Sequence, residues 1–244
     1  KDLTSIVNQV EKMLNEGATF IDVGAYSSRP GAKHISEEEE LDRILPVIKL
    51  LISEFSSALI SVDTFRSNVA ERCIHHGACI VNDISAGEMD ATMFSTVAKL
   101  QVPYVMMHMQ GTPQNMQQNP TYENVVTDLL YYFSKKIAEL YKLGVNDIIT
   151  DVGFGFGKTM AHNYQLLSRF NELAIDSLPV LAGMSRKSMI GQLLNRNTSE
   201  RLAGSIACAT IAVMHGARII RAHDVKETAD AIAVAQATFF GEQV

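Results

Sequence analysis

The stretch on which the fold turns is DVGFGFGKTMAHN, residues 151–163. It follows Asp147-Ile148-Ile149-Thr150 and packs an acid, three glycines, two phenylalanines and a lysine into one turn-like segment. An apolar, β-branched run that ends in a carboxylate and then breaks into glycine reads as a strand leaving its sheet. Glycine serves where the chain needs positive φ or where backbone comes close to something else. Two readings follow: a tight strand-to-helix turn, or a pocket wall that lets backbone approach a flat ligand.

The pattern on either side gives the architecture. Short apolar runs recur at Thr19–Val23, Leu59–Val62, Cys79–Ile84, Val102–His108, Asp147–Val152, Pro179–Gly183 and Arg218–Ala222. Helical patterns lie between them. Asp2–Glu16 opens the chain and stops at Gly17. In Glu37–Phe55, Ser36 with Glu39 predicts a capping box, and Leu41, Ile44, Leu45, Ile48, Leu51 and Ile52 form one apolar face. Thr121–Leu143 reads as the longest helix. Leu202–His215 is apolar nearly all round, as expected of a helix buried in the domain or at a subunit contact. Strands alternating with helices, with no repeat or linker, predict a single parallel α/β domain over residues 1–244. A (β/α)8 TIM barrel needs eight strands and runs to about 250 residues. Seven runs after an opening helix therefore predict such a barrel, with its first strand before Lys1. An open doubly wound sheet is the competing architecture.

Composition narrows the function. At 244 residues and 47% hydrophobic, the chain can bury a large core. A net charge of −6 without a basic block argues against nucleic acid or an acidic membrane as partner. The three cysteines, Cys73, Cys79 and Cys208, form no CxxC pair and suit a reducing, cytoplasmic setting. Leu202–Ala217 is the longest uncharged stretch and falls short of the roughly 18 apolar residues of a membrane span. No signal peptide is expected.

The strand ends carry polar groups one after another. They deliver Ser27, Ser28, Arg29 and Pro30; then Asp63; then Asn82 and Asp83; then Met106 and His108; then Asp151; then Arg186 and Lys187; then Arg221 and His223. Each has a plain structural use, and Asp63, Asp83 and Asp224 are all good helix caps. Together they make a site. Asp63, Asn82 and Asp151 suit a flat heterocycle rich in N–H donors, because a carboxylate accepts two parallel hydrogen bonds and an asparagine reads a mixed edge. Met106 and Phe156 are candidate walls for the ring faces. Arg221 and His223 precede the helix opened by Asp224, whose free N–H groups favour an anion. Lys187 lies beyond its strand in a charged run, which suits a hydrogen-bond donor better than a Schiff-base nucleophile. His108 reads as a core or supporting histidine, Glu37–Glu40 as a solvated helix start, and no residue set has metal-ligand spacing.

The runs FIDVGAYSSRPG, SVDTF, VNDISAG, MMHMQGTP, DVGFGFGKTMAHN, GMSRKSMIG and RAHDVKET resemble, in order and spacing, the pterin-binding signature of the dihydropteroate synthase family. The likeness runs from the first helix to the end of the chain. It implies a (β/α)8 barrel that joins 4-aminobenzoate to 6-hydroxymethyl-7,8-dihydropterin diphosphate, releasing pyrophosphate, and that is a sulfonamide target. By position, Asp63, Asn82, Asp151 and Lys187 would contact the pterin, with Met106, Phe156 and Gly183 as pocket wall. Ser28, Arg221 and His223 would face the diphosphate, and Arg29, Pro30 and Ser188 the aminobenzoate. Asp63, Lys187, Arg221 and His223 would be catalytic. The resemblance also implies Mg2+, with its asparagine ligand in a loop before Lys1, and a homodimer. Tyr26 stands where the family commonly has Glu, and Asp151-Val152-Gly153 replaces Asp-Pro-Gly. Two other functions share parts of this pattern: a pterin-dependent methyltransferase domain working with a corrinoid partner, and a non-catalytic pterin-binding module.

Overall fold

A computed structural model describes residues 2–29 and 32–240. Among these, helices and strands alternate as α1 (Leu3–Asn15), β1 (Phe20–Gly24), α2 (Glu37–Glu54), β2 (Leu59–Asp63), α3 (Ser67–His75) and β3 (Ile80–Asp83). The chain continues through α4 (Met93–Leu100), β4 (Tyr104–Met107), α5 (Val125–Lys142), β5 (Ile148–Asp151), α6 (Met160–Ser168) and β6 (Val180–Ala182). It ends with α7 (Ser188–Leu194), α8 (Leu202–Met214), β7 (Ile219–Ile220) and α9 (Val225–Phe240). The seven strands form one parallel sheet in chain order, β1 to β7. Parallel neighbours need a crossover, and helix supplies each one. All seven expected runs are strands, with ends moved by a residue or two.

Three local expectations are corrected. The helix expected over 121–143 begins at Val125, because Asn124 turns its Oδ1 onto the N–H groups of Val126 (3.1 Å) and Thr127 (3.3 Å) and caps it there. At 18 residues it equals α2 rather than exceeding it. The capping box at Ser36 is half made. Ser36 Oγ accepts from the Glu39 N–H at 3.1 Å, but the Glu39 carboxylate pairs with Arg43 one turn on. Finally, Glu40 is not solvated. It is fully buried, accepts from Thr64 Oγ1 at 2.7 Å and is ion-paired with Arg66 at 2.5 Å.

The chain groups by contact into two units, Lys1–Met107 with Lys135–Ile149, and His108–Ser134 with Thr150–Val244. In the first, the apolar face of α2 (Leu41, Ile44, Leu45, Ile48, Leu51) is buried, as are Ile60, Val62, Val69 and Val81. Arg66 also donates to the Ile35 carbonyl at 2.7 Å, tying the segment before α2 to the loop after β2. In the second unit the core is Phe154, Leu166, Phe170, Val180, Ala182, Met189 and Ala212, with Phe154 and Phe170 stacked at 6.3 Å. No described helix is long and apolar enough to cross a membrane. The three thiols are free, and burial pushes Cys73 up to about 12.

Candidate active site

The glycine loop after β5 belongs to the second unit. Gly153, Gly155 and Gly157 all have positive φ (67°, 81° and 60°). At Gly157 a Cβ would lie 2.6 Å from the Gln110 carbonyl oxygen, so both the turn and a close backbone approach require glycine there. Within the loop the two phenylalanines have different fates. Phe154 is fully buried against Phe170, whereas Phe156 is partly exposed.

Asp151, the last residue of β5, is buried, and its Oδ1 accepts from the Gly153 N–H at 2.8 Å. Burial raises its pKa, while Lys187, Arg221 and Lys158 pull in the other direction. Lys187 sits at the N-cap of α7 and donates to the Phe154 carbonyl at 2.5 Å. Its ammonium lies 4.9 Å from the centre of the Phe156 ring. Burial brings Lys187 down to about 8, with Asp151 holding it up and Arg221 pushing it further down. A carboxylate, an aromatic face and a cation thus stand around one loop. That set can bind the N–H edge, the face and an acceptor of a flat heteroaromatic ring.

Arg221 and His223 follow β7. The exposed His223 receives order from Ser185, whose Oγ accepts from its backbone N–H at 3.1 Å and meets its Nδ1 at 3.2 Å. Arg186, expected among the strand-end groups, is bonded to Asp224 by two hydrogen bonds of 2.9 and 2.8 Å and reaches the Thr198 carbonyl at 3.0 Å. It fastens the loop after β6 to the start of α9, so its guanidinium is committed to structure. Gly183 is buried, with Arg221 Cβ 3.5 Å from the place its own Cβ would occupy. Ser188 is exposed at the first turn of α7.

In the first unit, Asp63 ends β2 and lies in register with Asn82 on β3. Asn82 is buried and donates through Nδ2 to Asp22 Oδ2 on β1 at 3.0 Å. Met106 on β4 is fully buried, while Ser28 is partly and Arg29 well exposed in the loop after β1. Pro30 lies outside the described residues. Asp83 proves structural: its carboxylate accepts from the Ser85 N–H (2.8 Å), the Ser85 hydroxyl (2.7 Å), the Gly87 N–H (2.7 Å) and the Tyr104 hydroxyl (2.7 Å). Tyr26 bonds His34 at 3.1 Å and packs edge-on against Phe65.

Sequence reasoning missed Asp22 and Lys158. The signal for Asp22 was an acid inside the apolar run FIDVG, and for Lys158 a lone lysine closing GFGFGK. Lys158 is buried, and its Nζ lies 3.0 Å from His108 Nδ1. His108 is a buried supporting histidine, as expected, and burial beside Lys158 drives its pKa well down. Among the described residues no group of three or more His, Cys, Asp or Glu is placed to hold a metal ion.

The chain matches the model of the pterin-binding enzyme family over residues 1–223. It is 47% identical over 244 residues to the dihydropteroate synthase of Escherichia coli strain K12, covering 99% of this chain and 86% of the relative. A crystal structure of the Yersinia pestis dihydropteroate synthase with a sulfonamide drug matches with a TM-score of 0.94 at 46% identity, over 98% of this chain and 86% of the other. The Xanthomonas albilineans enzyme with 4-aminobenzoic acid matches at 0.90 and 38% identity, over 97% and 85%. Identity of this extent decides for the synthase over the corrinoid methyltransferase and the non-catalytic module. The chain belongs to the pterin-binding enzyme family, among its dihydropteroate synthases.

Proposed function

We propose that the synthase reaction, condensation of 6-hydroxymethyl-7,8-dihydropterin diphosphate with 4-aminobenzoate, runs here through the strand-end residues. The observation that carries this reading is the Asp151 loop, with its buried carboxylate and with Lys187 over the Phe156 ring. Asp151 accepts from the N3–H and 2-amino edge of the pterin, Asn82 reads a mixed edge, and Lys187 donates to a ring acceptor. Met106, Phe156 and Gly183 form the wall. The C–O bond of the exocyclic methylene breaks with its electron pair leaving on pyrophosphate, and Asp63 stabilises the cation left at carbon. The aryl amine then attacks that carbon and loses a proton. It is neutral at pH 7, so no strong base is needed. Ser28, Arg221, His223 and the α9 N-terminus take the diphosphate, and Arg29 and Ser188 serve 4-aminobenzoate, as the resemblance implies for Pro30 too. Mg2+ would supply further charge stabilisation to the departing diphosphate.

The remaining parts of the reading have their own support. The family model runs across both contact units, which favours one domain. Seven parallel strands in chain order fit a (β/α)8 barrel. Ala203, Ala207, Ile211 and Met214 are exposed along one face of α8, which suits a homodimer contact. Three unpaired thiols suit the cytoplasm.

A sulfonamide tests the reading through inhibition kinetics. It should raise KM for 4-aminobenzoate and leave kcat unchanged. Inhibition that excess 4-aminobenzoate fails to relieve contradicts the assignment of the aminobenzoate end.

A further inference from the structure

Five successive carbonyls of the glycine loop each accept a hydrogen bond from a side chain: Gly153 and Phe156 from Lys158 (both 3.0 Å), Phe154 from Lys187 (2.5 Å), Gly155 from Gln117 (2.5 Å) and Gly157 from the Tyr122 hydroxyl (2.6 Å). Two of the loop N–H groups are also taken, Gly153 by Asp151 at 2.8 Å and Gly155 by Asn163 at 2.7 Å. A loop of three positive-φ glycines would otherwise have many conformations of similar energy. Here its shape is dictated by side chains bonded to it from outside.

Lys158 is the hub of this arrangement. It is 3% exposed, and besides the two loop carbonyls its Nζ meets the His108 carbonyl at 3.1 Å and His108 Nδ1 at 3.0 Å. His108 follows β4 directly, its N–H donates to the Asp151 carbonyl at 3.0 Å, and its ring packs edge-on to Tyr132 at 4.8 Å. Lys158 therefore ties both ends of the turn, Gly153 and Phe156, to a histidine that is itself bonded to the backbone of Asp151. No atom of Lys158 needs to touch a ligand for this.

We propose that Lys158 is a positioning residue for pterin binding: clasped by His108, it holds the Gly153–Phe156 turn so that the Asp151 carboxylate and the Phe156 ring stand ready for the pterin. The inference rests on the pterin assignment above and extends it to a residue outside the contact set. A lysine that merely filled the core would affect stability alone. A positioning lysine affects the ligand whose contacts it sets and spares the other substrate.

The test is Lys158→Met, which keeps the length of the chain and removes the hydrogen bonds. Calorimetry gives the Kd for the dihydropterin diphosphate, and steady-state rates give kcat and the KM for 4-aminobenzoate, all well below the thermal midpoint of the variant. The expected result is a pterin Kd raised at least tenfold, with the 4-aminobenzoate KM within twofold of wild type. A lowered thermal midpoint with unchanged pterin Kd overturns the proposal, and so does equal weakening of both substrates. Should Lys158→Met fail to fold, His108→Leu leaves Lys158 its three carbonyls. A pterin Kd raised about threefold supports the proposal, and one equal to wild type overturns it. Wild-type protein measured alongside separates the two levels: if it fails to bind pterin, the pterin assignment falls, whereas normal wild-type binding with unaffected variants removes only the role of Lys158.

Discussion

Replacing Asp151 by Asn should weaken pterin binding by about 10- to 150-fold while leaving the loop in place. Asparagine has the shape of aspartate, and its Oδ1 can still accept from the Gly153 N–H, which the native carboxylate holds at 2.8 Å. What disappears is the charge and one acceptor, and the NH2 that replaces it faces the donor edge of the pterin. A hydrogen bond to a charged group contributes about 1.5–3 kcal/mol. At about 1.4 kcal/mol per decade, this is the range stated. Calorimetric titration with the dihydropterin diphosphate, without 4-aminobenzoate, measures it. The pH dependence sharpens the test. Burial raises the Asp151 pKa against the pull of Lys187, Arg221 and Lys158, and the pterin edge needs the ionised form. Wild-type affinity should therefore fall on acidification at a pH above the ordinary carboxylate range, and that fall should vanish in Asp151→Asn. A variant Kd within twofold of wild type, or an unchanged acid limb, removes the Asp151 carboxylate from pterin binding.

Asp63→Asn should lower kcat by about 10²–10³-fold, the usual scale for removing one electrostatic stabiliser, with pterin Kd changing far less. Pyrophosphate release measures this, and unchanged turnover removes Asp63 from that role. Glu40→Ala takes one partner from the buried pair with Arg66 and should cost about 3–5 kcal/mol. By the scaling for domains of this size that is a thermal midpoint lower by about 6–20 °C, and calorimetry showing a fall under 2 °C contradicts the buried-pair account. Burial brings Lys158 from 10.5 to about 7. Between those values the folded protein binds fewer protons than the unfolded chain, so stability rises with pH, by at most about 1.4 kcal/mol per pH unit. Denaturant midpoints at pH 7 and 9 should therefore separate further between wild type and Lys158→Met as pH rises. A constant gap refutes the shift.

Much of this fold is legible because its signals are local. Each strand is a short apolar run bounded by polar or glycine residues, and each recurs before a helix, so Ile148–Asp151 and Ile80–Asp83 stand out one at a time. The ends were harder. Asn124 and Thr121 both offer caps for α5, and only the bonds from Val126 and Thr127 choose Asn124. The glycine loop reads in the sequence as a strand-to-helix turn or a pocket wall with Phe156 as a candidate lining residue, yet the separate fates of Phe154 and Phe156 depend on Phe170, a partner 16 residues beyond Phe154. Long-range pairing hid the rest. Glu40 sits among four consecutive glutamates, and nothing local separates it from its solvated neighbours; Arg66 and Thr64 do so from the loop after β2. Arg186 reads as a ligand-facing cation until Asp224 takes it, and Lys158 reads as the end of a motif until His108 claims it. Charge is visible in a sequence, but the partner of a charge is a property of the fold.

The most direct test of the central claim follows pyrophosphate release from 6-hydroxymethyl-7,8-dihydropterin diphosphate, with Mg2+ present, in paired reactions with and without 4-aminobenzoate. The expected result is release that depends on 4-aminobenzoate and is matched by an equal amount of 7,8-dihydropteroate. Pterin binding with no dihydropteroate formed, or pyrophosphate release indifferent to 4-aminobenzoate, would contradict it.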